Sequence, residues 1–374
     1  MKKNLITKMV LLLAFCMITI PQFSQAPHKI RVLSYYAGRP ELLDSFKIEN
    51  MTHIIFCFGR LNGSRFSVRG PGDTVIIQKM VSLKSRNPEL KVLLSLGGWG
   101  GCRTCSDVFA TKRGRREFVL SLKGFYDYFK VDGLDLDWEY PAIKGYPGHK
   151  FTSADKKNFT KLVNEIRKLG YDHELSFAAG SSERYIDSAI QWKRVMKKVD
   201  YVNLMTYDHS GPGSPVTGHH TGLYSTPYMH RSADFMVKSL LNMGIPAEKI
   251  ILGGAFYGKI FENVDSINNG LARPGKFKNT VLYRNVSTLL SADSGWVYHW
   301  DEAASAPFLY NRAKRQFFTY DDEKSIELKT RYVIDNKLGG IMYWQLGGDL
   351  YNKGLLDVID RVRRNYTGLK PGKN

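Results

Sequence analysis

Three acidic residues spaced two apart, Asp135, Asp137 and Glu139, are the side chains in this sequence best suited to chemistry. Alternate side chains of an extended strand point to opposite faces, so the three acids would share one face. The residues between them are apolar and would pack on the other face: Leu134, Leu136 and Trp138. Buried carboxyls on one strand are costly unless they share protons or meet hydrogen-bond donors, which shifts their pKa values. The segment therefore predicts an acid–base catalytic site; a calcium or magnesium site is the alternative, disfavoured because such cages draw on loop carbonyls.

The elements that would position these acids alternate between short β-rich runs and longer helical patterns from residue 30 to residue 365. Eight strands are predicted, at residues 30–36, 53–61, 91–98, 133–139, 174–180, 201–208, 250–258 and 341–346. Helical patterns between them include residues 107–130, 153–169, 231–243 and 323–337. Such alternation is typical of βα units around a parallel sheet. Eight units close into a (β/α)8 TIM barrel, an α/β fold whose enzymes hold their chemistry at the carboxyl ends of the strands.

One interval in this pattern is too long for a simple loop. Residues 261–322, between the seventh strand and the next helix, are rich in Asn, Ser, Tyr and Trp and carry short β-like runs. They predict a small α+β insertion between strand 7 and helix 7, on the catalytic face. The barrel would then comprise residues 27–260 and 323–366, followed by a flexible tail at residues 367–374.

The first 26 residues have the pattern of a signal peptide: a positively charged start, an apolar run at residues 9–20 that is too short to span a bilayer comfortably, and small residues before position 27. We expect cleavage near residue 26 and a secreted protein, extracellular or periplasmic. Cys16 would suit a lipid anchor, but the bulky Phe15 precedes it. No later segment has the roughly 20 unbroken apolar residues of a membrane span.

The formal net charge of +19 is compatible with a nucleic-acid binder, with an anionic cell surface as partner, or with a merely soluble, self-repelling protein. Apart from residues 361–364, Lys and Arg are scattered along the chain, and no nucleic-acid-reading module is recognisable. We therefore expect no nucleic-acid partner. We also expect a monomer.

Three cysteines follow the predicted signal peptide. Cys102 and Cys105 could form a redox pair or half of a zinc site, but no second pair completes a four-ligand cage. In an exported protein a small-loop disulfide is favoured. Cys57 lies in an apolar strand and is expected to be a buried thiol.

Three motifs, each at a strand end, resemble those of glycoside hydrolase family 18, the chitinases. They are Asp132-x-x-Asp135-x-Asp137-x-Glu139, Ser95-Leu-Gly-Gly-Trp99 and Met205-Thr-Tyr-Asp208. Weaker matches at residues 32–36, 52–58, 256–258 and 342–344 extend the resemblance over nearly the whole mature chain. The long interval after the seventh strand resembles the subgroup that carries a chitinase insertion domain.

The resemblance implies hydrolysis of chitin, a β-1,4-linked N-acetylglucosamine polymer, without a cofactor or metal. In this family the 2-acetamido oxygen of the substrate attacks its own anomeric carbon, and water opens the resulting oxazolinium ion with retention. Glu139 would protonate the departing oxygen and later activate the water. Asp137 would orient the acetamido group, and Asp135 would share a proton with Asp137. Tyr207 would hold the acetamido oxygen.

The resemblance also implies a set of substrate-binding residues. Aromatic side chains at strand ends match subsite walls, because aromatic planes bind the C–H faces of sugars: Trp344 at the −1 floor, Trp99 at +1, and Phe58 and Tyr257 at flanking positions. The remaining matches shape the −1 pocket or support its inner acid: Tyr35, Ser95, Met205 and Asp208.

Several positions depart from the family pattern or leave alternatives open. Lys259 stands where the family commonly has arginine, and Gln345 where it often has an acid, which puts subsite preference in doubt. The adjacent His219 and His220 could suggest a metal, but solvent-facing or substrate-facing side chains are favoured. The alternative functions are an endo-β-N-acetylglucosaminidase that acts on N-linked glycans and a non-catalytic lectin, which would be expected to lack Glu139.

Overall fold

The central sheet of the computed structural model, which describes residues 30–367, is a closed barrel of eight parallel strands. The strands are β1 (Arg31–Tyr36), β2 (His53–Asn62), β4 (Lys91–Gly97), β5 (Gly133–Asp137), β6 (Glu174–Gly180), β7 (Tyr201–Met205), β8 (Ile250–Ala255) and β14 (Gly340–Trp344). Their order is β1-β14-β8-β7-β6-β5-β4-β2, and β1 also pairs with β2, which closes the ring. A short strand, β3 (Arg65–Ser67), forms an antiparallel hairpin with β2. The predicted (β/α)8 fold is confirmed.

A second sheet lies in the chain between β8 and β14. Its five antiparallel strands are β9 (Tyr257–Glu262), β10 (Lys276–Leu282), β11 (Trp296–Asp301), β12 (Ala306–Asn311) and β13 (Gln316–Thr319), in the order β10-β9-β13-β12-β11. The predicted seventh strand, 250–258, was wrong at its end. The barrel ladder stops at the pair Trp344–Ala255, and the chain from Tyr257 onward pairs with β10 and β13 instead.

Ten α-helices occur in the part of the chain that the structure describes. They are α1 (Pro71–Ser82), α2 (Cys105–Ala110), α3 (Lys112–Phe129), α4 (Asp155–Ile166), α5 (Glu183–Ser188), α6 (Trp192–Val195), α7 (Ala233–Asn242), α8 (Val286–Leu289), α9 (Glu323–Asp335) and α10 (Leu355–Thr367). The single helix predicted at 107–130 is two helices. Thr111 is extended between them, and its side chain accepts the N–H of Gly114, so it caps α3 as a new helix.

The barrel has an outer and an inner apolar layer, as the alternation in β5 predicts. Leu134, Leu136 and Trp138 belong to the outer layer between strands and helices, where the Trp138 ring lies 5.7 Å from that of Phe109. Burying a large apolar side chain contributes about 1.5–3 kcal/mol, so this layer fixes which face of β5 turns inward. The inner layer contains the residues of the candidate site.

Cys102 and Cys105 form a disulfide, and Cys57 is a buried free thiol, as predicted. Between residues 30 and 367, no helix combines the length and apolar character needed to cross a membrane. The predicted signal peptide, residues 1–26, lies outside the described residues, as does the predicted tail beyond Thr367.

Candidate active site

Asp135 is fully buried inside the barrel at the level of two serines on the flanking strands. It pairs in register with Ser95 of β4 and Ser176 of β6. The Ser95 hydroxyl donates to Oδ2 at 2.9 Å, and the Ser176 hydroxyl donates to Oδ1 at 2.7 Å. Tyr35 donates to Oδ2 at 3.0 Å, and the Asn203 amide donates to Oδ1 at 3.1 Å. Each carboxylate oxygen therefore accepts two hydrogen bonds.

These four donors act against burial, which raises the pKa of Asp135. A carboxylate that accepts several hydrogen bonds is stabilised in its charged form. Asp135 is thus equipped to carry negative charge beneath the other two acids. The proton sharing between Asp135 and Asp137 stays a prediction.

Asp137 ends β5 and has a different environment. Its side chain is buried, and its Oδ1 atom has no hydrogen-bond partner among the described residues. Burial, followed by the charges of Glu139 and Asp135, raises the pKa of Asp137 well above its ordinary value. The neutral acid is therefore favoured at this position, and a neutral carboxyl can donate to a substrate amide oxygen or to a neighbouring carboxylate.

Glu139 lies two residues beyond β5, so the predicted strand 133–139 was too long. The pair Gly97–Asp137 is the last rung with β4, and β4 itself ends there. The backbone carbonyl oxygen of Glu139 lies 3.3 Å from Nδ1 of the His149 ring. A Cβ at Gly145 would lie 2.1 Å from that carbonyl oxygen, so only glycine lets the following loop approach so closely.

The Glu139 side chain is only 7% exposed. Burial and the charge of Asp208 raise the pKa of Glu139 to about 7, although a hydrogen bond from Tyr140 opposes the shift. A carboxyl with a pKa near neutrality can both give and take a proton under working conditions. Glu139 therefore has the properties of a general acid and base.

Asp208 follows β7 with a positive φ of 60° and binds two groups from β9. The Tyr257 hydroxyl donates to its Oδ1 at 2.5 Å, and Lys259 Nζ lies 2.6 Å from the same atom. His220 Nδ1 lies 3.7 Å away. Despite the opposing effect of desolvation, the contacts with His220 and Lys259 hold the pKa of Asp208 below its ordinary range. Asp208 therefore remains an anion near Glu139.

The predicted aromatic floor is assembled from three strands. The Trp344 ring at the end of β14 lies 5.6 Å from the Phe58 ring, nearly parallel to it, and 6.0 Å from the Tyr35 ring. Trp344 and Phe58 both pack against the inner apolar layer, which includes Met205, Tyr207 and Tyr257. The structure thus brings these residues together around the acids.

Tyr207 is buried, with its ring 6.1 Å from that of Tyr257 and its hydroxyl 4.0 Å from Met342 Sδ. Burial and the charge of Asp137 raise the pKa of Tyr207 well above its ordinary value, so the hydroxyl stays a donor. Trp99 differs because it is 59% exposed, with its ring 6.4 Å from Tyr140 and 5.6 Å from Tyr146. Trp99 therefore lies at the rim of the site.

Three residues of the site were missed by the sequence analysis: Ser176, Asn203 and Tyr140. Ser176 and Asn203 are polar side chains with apolar neighbours on both sides along their strands, a signal that was available. The expectation that His219 and His220 face solvent or substrate was wrong. Both side chains are buried and have partners within the protein. His219 Nε2 lies 3.0 Å from Asp301 Oδ2 on β11, and His220 Nε2 lies 3.2 Å from the Tyr257 carbonyl oxygen.

Acidic and imidazole side chains of the described residues form no group of three or more that could hold a metal ion. What the arrangement offers is a buried acid with a pKa near neutrality, a second neutral acid beside it, and an aromatic floor. Such a site can transfer a proton to and from a ligand that lies on the aromatic floor.

The family model described as Glycosyl hydrolases family 18 matches residues 31–349. Chitinase A1 of Niallia circulans is 32% identical over 298 residues, which are 73% of this chain and 42% of that protein, so the chain spans less than half of its length. Chitotriosidase-1 of Mus musculus is 31% identical over 337 residues, 84% of this chain and 71% of that protein. A solved family 18 N-acetylglucosaminidase from Paenibacillus barengoltzii has a TM-score of 0.80 at 31% identity, covering 89% of this chain and 100% of that chain.

Proposed function

Because the chain belongs to glycosyl hydrolase family 18, we propose that it hydrolyses the β-1,4 linkages of chitin by a retaining, substrate-assisted mechanism. The observation that carries this proposal is the position of Glu139, a buried carboxyl just beyond the carboxyl end of β5 and two residues from the buried Asp137. Burial raises the pKa of Glu139 to about 7, which suits a group that gives a proton and later takes one. The buried Asp137 beside it suits the second requirement, a group that orients the acetamido nucleophile.

In the first step the 2-acetamido carbonyl oxygen bonds to the anomeric carbon while the glycosidic C–O bond breaks. Glu139 transfers its proton to the departing oxygen and becomes a carboxylate. The carbonyl oxygen of Asp137 accepts the acetamido N–H and so orients the nucleophile. The Tyr207 hydroxyl, which is held in its protonated form, donates to the acetamido oxygen and aligns it for attack.

In the second step Glu139 takes a proton from a water molecule whose oxygen attacks the anomeric carbon. The oxazolinium ring opens, the acetamido group is restored, and the product keeps the β configuration. Trp344 supplies an apolar plane beneath the sugar in the −1 subsite, and Asp208 limits the pocket on the side of β9. The four donors around Asp135 stabilise its charged form below the reacting pair, against the burial that raises its pKa.

The sheet formed by β9 to β13 supports assignment to the subgroup with a chitinase insertion domain, because Tyr257 and Lys259 of β9 reach Asp208. This sheet would form one wall of the substrate cleft. We also propose that residues 1–26 direct export and that the mature enzyme acts outside the cytoplasm as a monomer.

A second candidate is an N-acetylglucosaminidase with the same mechanism. The structural similarity to the Paenibacillus barengoltzii enzyme favours it, since both chains carry the same fold over most of their length. A lectin is disfavoured because Glu139 is present and buried in the site.

Product analysis on acetylated chitooligosaccharides with anomer detection tests the proposal. We expect internal cleavage of long oligomers and fresh products of β configuration. Release of single N-acetylglucosamine units alone would favour the second candidate, and α products would contradict the mechanism.

A further inference from the structure

The outer wall of the barrel concentrates positive charge that is dispersed in the sequence. Lys157 and Lys161 lie four residues apart on α4, and Lys168 follows seven residues later in the turn after that helix. This spacing places them along one side of a helix. All three are exposed.

The segment 187–200 adds four exposed cations to the same wall: Lys193, Arg194, Lys197 and Lys198. Contacts along the length of α4 hold this segment beside it. Thr160 donates to the Gln191 side chain at 2.9 Å, and Arg167 Nε donates to the Lys198 carbonyl oxygen at 2.5 Å. Lys156, Thr160 and Arg167 contact the segment, and the lysine that follows each of them, Lys157, Lys161 and Lys168, is exposed. We call the seven cations the basic wall.

Several cations on other helices pair with a nearby acid. On α3, Arg113 and Lys123 pair with acids four residues later, and on α9 Arg331 pairs with Glu327. Within the described part of the chain, only Lys168 of the basic wall has a carboxylate in an ion pair, Glu165 at 2.7 Å.

The other acids of these two segments do little to neutralise the basic wall. Asp155 is buried and accepts the Ser106 hydroxyl, and Asp200 binds Arg167 at 2.5 Å. Only Asp187 remains as an unpaired exposed acid among the described residues of both segments. The basic wall therefore has a local excess of positive charge.

We propose that the basic wall binds an anionic polysaccharide at a surface separate from the catalytic cleft. Six of its seven cations are lysines, whose flexible ammonium groups suit a chain of diffuse carboxylate or phosphate charges, whereas the planar fork of arginine suits defined bidentate contacts. The wall flanks β5, β6 and β7 from outside, while Glu139 lies beyond the carboxyl end of β5. A polymer on the wall would leave the cleft open and would concentrate the protein in a matrix where neutral and acidic glycans occur together.

Two other polyanions fit the wall less well. Insertion into a membrane surface needs several apolar side chains beside the cations, and Tyr171, whose hydroxyl lies 3.4 Å from Lys198 Nζ, is the only large exposed hydrophobic residue between described residues 155 and 200. Nucleic acid recognition normally adds a groove-reading element or several stacking aromatics to the phosphate contacts, whereas the wall has beside it only the ring of Tyr171, which already contacts the Arg167 guanidinium at 4.7 Å. The choice of a glycan rests on the proposed function.

Binding of the full chain to polygalacturonate, a carboxylated polysaccharide, tests the inference at several salt concentrations. The test variant replaces Lys157, Lys161, Lys193 and Lys197 with glutamine. A matched control replaces Lys112, Lys276, Lys314 and Lys353, which are also exposed but lie on other elements. The two variants have the same net charge, so a difference between them reports the position of the charges.

We expect the test variant to lose about tenfold or more in affinity. Its affinity should also depend less on salt, because fewer contacts with the polymer release fewer counterions. The control variant should lose less than about threefold. Equal losses in both variants would overturn the inference, as would tighter binding to a short DNA duplex or to vesicles of equal parts phosphatidylglycerol and phosphatidylcholine.

Turnover of chitooligosaccharides is measured on the same samples. If the protein binds polygalacturonate through the basic wall but cleaves no chitooligosaccharide, the proposed function is refuted and the inference about the basic wall still holds.

Discussion

Ser176 donates to Oδ1 of Asp135 at 2.7 Å across the rung that joins β5 to β6. We expect Ser176→Ala to raise the pKa of Asp135 further, because burial is then opposed by fewer donors. Hydrogen bonds to charged groups contribute about 1.5–3 kcal/mol, so the free energy of unfolding at neutral pH should fall by that order. Urea denaturation measures the change. Ser239→Ala is the control, since that hydroxyl donates to the Phe235 carbonyl oxygen within α7 and does not contact a charged group among the described residues. An equal loss in both variants would contradict the assignment.

Glu139→Gln should remove nearly all turnover and keep oligosaccharide binding, because the amide has the shape of the acid and no proton to transfer. General acid–base catalysis contributes roughly 10²–10⁴ in rate, which sets the size of the expected fall in kcat. Steady-state kinetics and a binding titration on the same oligomer separate the two effects. The surface variant Glu117→Gln is the control. Unchanged turnover in Glu139→Gln would exclude this residue as the proton donor.

Loss of the Asp208 charge should shift the pH profile. Glu139 must be protonated for the first step, so kcat/KM should fall as the pH rises through about 7. The Asp208 charge raises the pKa of Glu139, and its removal favours the ionised form. Asp208→Asn should therefore move the alkaline limb of kcat/KM to lower pH, whatever happens to its height. A limb that stays in place or moves upward would show that the two carboxyls are not coupled.

A fully deacetylated chitosan polymer should resist cleavage because it lacks the acetamido nucleophile. Reducing-end release from acetylated and deacetylated polymers of equal length measures the difference. Partly acetylated chains should be cut only where an N-acetylglucosamine unit occupies the −1 subsite. Equal rates on both polymers would rule out substrate assistance and point to a carboxylate nucleophile instead.

Lys329 and Asp321 form a fully buried ion pair with an Nζ–Oδ2 distance of 2.7 Å. Asp321 also accepts the N–H of Ala255 at the end of β8, close to the site. Breaking a buried pair by removing one partner typically costs 3–5 kcal/mol, so Lys329→Met should lower the free energy of unfolding by about that amount. Lys238→Met on α7 removes an exposed pair and should cost about 0–1 kcal/mol. Chemical denaturation measures the free energy of unfolding of both variants. Similar losses in the two would show that the buried pair contributes no more to stability than the Lys238 pair does.

Local patterns accounted for the barrel and for most of the site. The alternation of apolar and acidic residues in β5 was sufficient to separate Trp138, in the outer layer, from Asp135, in the inner one, because strand geometry fixes the faces. Element ends were less predictable. Whether Glu139 and Tyr257 continue a strand depends on where the neighbouring strands stop, and no local pattern contains that information.

The amino-acid sequence by itself determined the fold class, the acidic strand and the residue types of the site, since periodicity and motif spacing are properties of neighbouring residues along the chain. Only the tertiary structure decided that Ser176 and Asn203 support Asp135, that His220 is buried beside Asp208, and that dispersed lysines gather on one wall. These relationships join residues separated by tens of positions. Their hydrogen bonds, burial and charges arise when barrel closure and helix packing bring distant segments within a few ångströms.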